Sequence, residues 1–123
     1  MMTEQLEIKN VHREPHPFVG VSHMPQFTGK TIAFVGRVSA VEEGQMTMKS
    51  ADETEIKIIR LKGEVDKFPV GVIVEVRGIV NKDGSISFGE HSVYDAEFDL
   101  SAYENMLEYY HGMCKELSVK WDN

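Results

Sequence analysis

Between residues 31 and 94 the chain divides into five short segments in which apolar and polar residues alternate, each closed by a cluster of turn formers. A period of two sends successive side chains to opposite faces of a strand, so each segment carries one face that must be buried. The first, residues 31–41 (TIAFVGRVSAV), sets Ile32, Phe34, Val38 and Ala40 on one face and Thr31, Arg37 and Ser39 on the other. It is long for a strand and has Gly36 at its middle, the residue type that marks a bulge or a sharp bend at a barrel corner. A long strand bent there can serve both sides of a small barrel.

The other four follow in regular order. Residues 45–49 carry Met46 and Met48; residues 55–61 set Ile56 and Ile58 against Glu55 and Lys57. Residues 72–80 line up Val72, Val74, Val76 and Val80 opposite Glu75 and Arg77, and residues 85–94 place Ile86 and Phe88 between serines. The breakers are Glu42-Glu43-Gly44, Ala51-Asp52-Glu53 and Asn81-Lys82-Asp83-Gly84, the last holding the Asp-Gly pair favoured in hairpin turns. Residues 62–71 (KGEVDKFPVG) read as a connection. Five strands joined mostly by tight turns suit a small closed β-barrel better than a sandwich of seven or more. Strand count alone leaves both the OB (oligonucleotide-binding) and the SH3-like barrel open.

Behind the strands comes a helix. Asp99 is a candidate N-cap for a helix beginning at Leu100, and Ser101 with Glu104 fits a capping box one turn further in. Leu100, Tyr103, Leu107, Tyr110, Cys114 and Leu117 recur at intervals of three, four, three, four and three, a heptad seam, and Met106 and Met113 widen it. Such a stripe can pack on the chain's own barrel or on a partner helix. The regular heptad, the methionines and the tyrosines favour a partner, since Met and Tyr are enriched at interfaces. These eight residues are the candidate subunit interface. Gly112 interrupts the helix at a cost of about 1 kcal/mol relative to alanine.

Composition narrows the function. Thirteen Lys and Arg against twenty Asp and Glu give a net charge of −7, which argues against strong autonomous nucleic-acid binding, because that affinity comes largely from neutralising phosphates. The single cysteine excludes an internal disulfide and suits a reducing compartment such as cytosol or nucleus. No segment approaches the roughly 20 apolar residues of a membrane span, and the first residues (MMTEQLEIKNVHREPH) lack a signal peptide's apolar core. His12, His16 and His23 share no chelating spacing, so no metal or other cofactor is expected. There is no G-x-S-x-G, C-x-x-C, phosphate-binding glycine loop or H-E-x-x-H. Glu90 and His91 are adjacent on a strand and point to opposite faces, so the chain reads as a non-enzyme.

The order of several pieces carries a family resemblance: Met24-Pro25-Gln26-Phe27 with Gly29-Lys30, Phe34-Val35-Gly36-Arg37-Val38, Val74-Glu75-Val76-Arg77-Gly78, and Phe98-Asp99-Leu100 with Tyr103. From about His23 to Leu117 the chain resembles the smallest subunits of replication protein A, the eukaryotic single-stranded-DNA-binding heterotrimer. The resemblance implies an OB barrel whose C-terminal helix joins helices of two larger OB-fold subunits in a three-helix bundle, in the nucleus, with single-stranded DNA reached mainly through the complex. It implies no membrane and no small-molecule substrate. The smallest subunit of the telomere-capping heterotrimer, an autonomous nucleic-acid-binding module and a homo-oligomer are the alternatives.

The expected division is a flexible arm over 1–24, a barrel over 25–98, an interaction helix over 99–118 and a tail over 119–123. OB folds grip single strands across strands 2 and 3, between the loops joining strands 1–2 and 4–5. Here Lys49, Lys57, Arg60 and Lys62 are the candidate DNA contacts, but both loops are short and neither strand has an aromatic residue on which a base could stack. A solvated strand face is the preferred reading, with the barrel acting as a mount for the helix.

Overall fold

The computed structural model describes residues 16–62 and 68–116, with side chains of the terminal helix through Met113. A 3-10 helix (Val21–Phe27) leads into β1 (Thr31–Glu42), β2 (Gln45–Lys49), β3 (Glu55–Ile59), β4 (Ile73–Val80), β5 (Ile86–Val93) and α1 (Leu100–Glu116). The strands close in the order β1-β2-β3-β5-β4, the Greek-key barrel of the OB type. Four seams are antiparallel; the closing seam between β3 and β5 is parallel and short, pairing Ile58 with Ile86 and Ile59 with Ser87.

β1 serves both sides of the barrel, as its length and central glycine suggest. Thr31 to Arg37 pair with β4, and Arg37 to Glu42 pair with β2. At Gly36 a Cβ would lie 2.9 Å from the Lys49 carbonyl oxygen and 3.0 Å from the Phe34 ring, so only glycine lets the end of β2 lie this close to the bend. A bulge between Val38 and Ala40 then shifts the alternation by one residue. Val41, in place of the expected Ala40, therefore packs against the core.

The barrel interior is filled by Ile32, Phe34, Val38, Met46, Met48, Ile58, Val74, Val76 and Ile86, all buried. Leu61 and Phe68 add to it from the β3–β4 connection. β3 ends at Ile59 because Arg60 and Lys62 both take left-handed backbone angles (φ 67° and 53°), which turns Leu61 inward. Its amide donates to the Gly44 carbonyl at 3.1 Å.

The N-terminal boundary needs correction. Residues 1–15 of the expected arm lie outside the described residues, but residues 16–24 are built into the fold. Val19 is fully buried and Met24 nearly so. Residues 17–19 run parallel to β1: the Ala33 amide donates to the Pro17 carbonyl and the Val19 amide to the Ala33 carbonyl, both at 2.9 Å. The cause lies in β1. Its β2-facing edge is paired only from Arg37 onward, so the first half would otherwise leave buried backbone groups without partners.

Candidate interface on the C-terminal helix

α1 starts where the N-cap signal puts it. Asp99 Oδ1 accepts from the Ala102 amide at 3.0 Å, and the Tyr103 amide donates to the Asp99 carbonyl at 3.0 Å. The alternative capping box is not used: Glu104 instead accepts from the Ala51 amide in the β2–β3 turn at 3.0 Å. A polar cavity of about 300 Å³ lies between this turn, the 3-10 helix and α1. Burial raises the Glu104 carboxyl above the usual carboxylate range, with the like charges of Asp52 and Glu108 adding and the Ala51 amide opposing.

The first turn packs on the outside of the barrel. Leu100, Val35 and Ile73 form a small second core, edged by Tyr94, Phe98 and Tyr103. Ring contacts run from Tyr94 to Phe98 (4.8 Å), to Tyr103 (5.6 Å) and to Phe18 (6.2 Å). Beneath them Glu75 is buried on β4. It accepts from the Tyr94 hydroxyl and from Arg77 Nη1, both at 2.5 Å, while Arg77 also reaches Glu90 (3.2 Å) and Ser92 (3.2 Å). The buried carboxylate is thus paired and hydrogen-bonded, the condition under which burial of a charge is tolerated. The Tyr103 hydroxyl is enclosed with no hydrogen-bond partner among the described residues. Burial first, then the neighbouring Tyr94, Glu75 and Glu104, pushes its ionisation well up.

The eight residues of the expected seam do not share one surface. Leu100 and Leu107 are buried against the chain's own body and Tyr103 is half-buried, so this part of the stripe belongs to the barrel. Its inward continuation is His111, buried with Nε2 2.8 Å from the Phe18 carbonyl oxygen. Met106, Tyr110 and Met113 face outward, exposed to 51%, 41% and 38%. The Cys114 side chain and Leu117 lie outside the described residues. Tyr109, which the seam omits, is the most exposed large hydrophobic side chain described on the helix, at 72%. Ala102, Met106, Tyr109 and Met113 follow one another at intervals of four, three and four. That heptad spacing is present in the sequence, hidden behind the stronger first stripe. α1 therefore has two apolar faces, one closed on the barrel and one open.

The candidate DNA contacts are scattered in role. Lys49 is half-buried and paired with Glu53 at 3.2 Å. Lys57 projects from the outer face of β3 opposite Thr47, and Arg60 and Lys62 flank the buried Leu61. The β1–β2 turn is closed by Gln45 Nε2 donating to Glu42 Oε1 at 3.0 Å. The β4–β5 turn is stitched internally: Asp83 Oδ1 accepts from the Ser85 amide (2.9 Å) and hydroxyl (2.7 Å), which lower its ionisation, and Asn81 Nδ2 donates to Ser85 and Ser87. Both turns are short and closed by these bonds of their own.

A family model described as replication factor A protein 3 matches residues 12–117. The chain belongs to that family. A curated relative from Arabidopsis thaliana, a 14 kDa subunit of replication protein A, is 26% identical over 105 residues, covering 85% of this chain and 95% of the relative. Among solved structures, a chain from U. maydis replication protein A bound to single-stranded DNA superposes with a TM-score of 0.71 at 23% identity, covering 84% of this chain and 95% of that one. The telomere capping protein Ten1 of Saccharomyces pombe superposes at 0.66 with 12% identity, covering 79% and 98%. Both superpositions support the OB barrel with its terminal helix; the family match separates the two assemblies, and it falls on the replication side.

Proposed function

We propose that this chain is the assembly subunit of a replication protein A heterotrimer, and that it docks its C-terminal helix against helices of the two larger subunits. The observation that carries the reading is the second apolar face of α1. A helix whose inner face already closes on its own barrel still exposes Met106, Tyr109 and Met113 at heptad spacing. Two methionines and a tyrosine left in water at that spacing suit helix-on-helix packing and form the kind of adaptable surface found at subunit contacts. Membership in the replication factor A protein 3 family supports the partners' identity. The Arabidopsis relative is named as a subunit of replication protein A, and the U. maydis structure holds single-stranded DNA.

In this reading the barrel is a mount. Its DNA-facing strands offer no stacking aromatics and its turns are consumed by their own hydrogen bonds, so DNA is held mainly by the partners. The chain works in the nucleus, without catalysis, as part of replication, repair and recombination. Affinity purification of the full chain from its own cells, with identification of the bound proteins by mass spectrometry, tests this. Two larger OB-fold subunits in equal stoichiometry are expected. Recovery of telomere-capping partners, or of the chain alone as a homo-oligomer, refutes it.

A further inference from the structure

We infer that the N-terminal strap, residues 17–27, positions α1, and that the strap's grip on His111 sets how the docking face is presented. This rests on the proposed function for its consequence but not for its geometry. The first turn of α1 is held by the barrel through Leu100 and Tyr103. From Leu107 on, the strap takes over. Leu107 Cδ1 lies 3.7 Å from where a side chain on Gly20 would begin, so the strap backbone passes directly under the helix. Ser22 Oγ donates to Glu108 Oε2 at 2.5 Å. His111 bonds the Phe18 carbonyl at 2.8 Å, stacks on His23 with ring centroids 4.6 Å apart and meets the Phe27 ring edge at 6.1 Å.

His111 is the last buried residue described on the helix, and a Cβ built on Gly112 just beyond it meets no described atom within 4 Å. Among the described side chains, His111 is thus the last buried contact of the helix with the body. The contacts that hold its outward angle there reach back to the strap, which is itself anchored by Val19 in the barrel core; Phe18 stands 93 residues before His111. A helix fixed in its bound orientation loses less conformational freedom on association, which is how such a clamp favours assembly. His111 is a positioning residue in this scheme: it orients Met106, Tyr109 and Met113 without itself touching the partner.

The test uses the full chain and three variants. Amide hydrogen exchange on the free chain reads the clamp directly. His111→Ala is expected to speed exchange over residues 107–113 about tenfold, the effect of losing one buried hydrogen bond, with β1–β5 unchanged. His111→Gln, which keeps a donor for the Phe18 carbonyl, is expected to restore most of the protection. Ser22→Ala, at an exposed position, guards against loss of folding and is expected to give a smaller increase over the same residues. Unchanged exchange at 107–113 in both alanine variants, or an equal rise throughout the barrel, overturns the inference. Capture of the larger subunits is then compared. His111→Ala is expected to bind several-fold more weakly than wild type, and equal capture despite a loosened helix contradicts the positioning role. If the wild-type chain captures neither of them, the proposed function fails while the exchange result still decides the strap.

Discussion

Glu75 and Tyr94 show how single residues tie the helix start to the barrel. Burial first, then the hydrogen bond to Glu75 and its charge, with Arg77 opposing, push the Tyr94 hydroxyl up to about 12. A group held protonated in the folded state contributes its stability in full below its ordinary value of 10.0 and loses it as the pH passes through about 12. Unfolding midpoints followed from pH 9 upward should therefore fall through that window. Tyr94→Phe should shrink the step to the share left by Tyr103, whose ionisation is also raised, and lower stability at neutral pH by about 1–2 kcal/mol, because it leaves a buried carboxylate with one partner fewer. A Tyr94→Phe chain with wild-type stability and an unchanged alkaline step would show that the Glu75 contact contributes nothing. The same scale explains why His111 is hard to place from sequence. It reads as polar and falls outside the helix stripe, yet its ring nitrogen meets the Phe18 carbonyl, ahead of β1. No local pattern announces that partner, which is fixed only when the strap folds across the helix.

At the scale of elements, strand pattern is the dependable signal. The second strand, residues 45–49, has the bounds its alternation gives, and the others differ by one or two residues at their ends. The 3-10 helix and the strap are not legible in this way, because Gly20, Pro17 and Pro25 interrupt any period and leave Val19, Met24 and Phe27 at no regular spacing. The helix seam misleads for a different reason: two apolar faces on one helix merge into a single heptad when tyrosines count as apolar. Gly78 offers an element-scale check. It sits at the β4–β5 register shift, where a Cβ would come within 2.1 Å of the Ser87 carbonyl oxygen. Gly78→Ala should cost at least about 3 kcal/mol in denaturant unfolding, at the upper end of overpacking effects. A loss under about 1 kcal/mol, the bottom of that range, would mean that the bulge is not tightly closed. The two helix faces should also separate by mutation. Leu107→Ala should lower stability by about 3 kcal/mol, as for a buried core leucine. Met106→Glu should change it by no more than about 0.5 kcal/mol, as for an exposed site. Equal losses would erase the distinction between the faces.

For the molecule as a whole, charge and surface point the same way. A chain of net charge −7, with closed turns and no stacking platform on β2 and β3, should bind single-stranded oligonucleotides alone only in the non-specific range, about 10⁻⁶ M or weaker at physiological salt. Nanomolar binding by fluorescence anisotropy would reverse the division of labour between barrel and helix. That division is partly legible in the sequence: composition and absent aromatics argue against a DNA grip, whereas which side of the helix stays open requires the barrel in place. The most direct test co-expresses the chain with the two larger subunits and measures how much of each is retained on the tagged chain. Met106→Glu with Tyr109→Glu should abolish retention while the chain stays folded, and Lys57→Glu with Arg60→Glu should leave it at the wild-type level. Full retention by the Met106→Glu, Tyr109→Glu chain would contradict the claim that the outer face of α1 is the working surface of this protein.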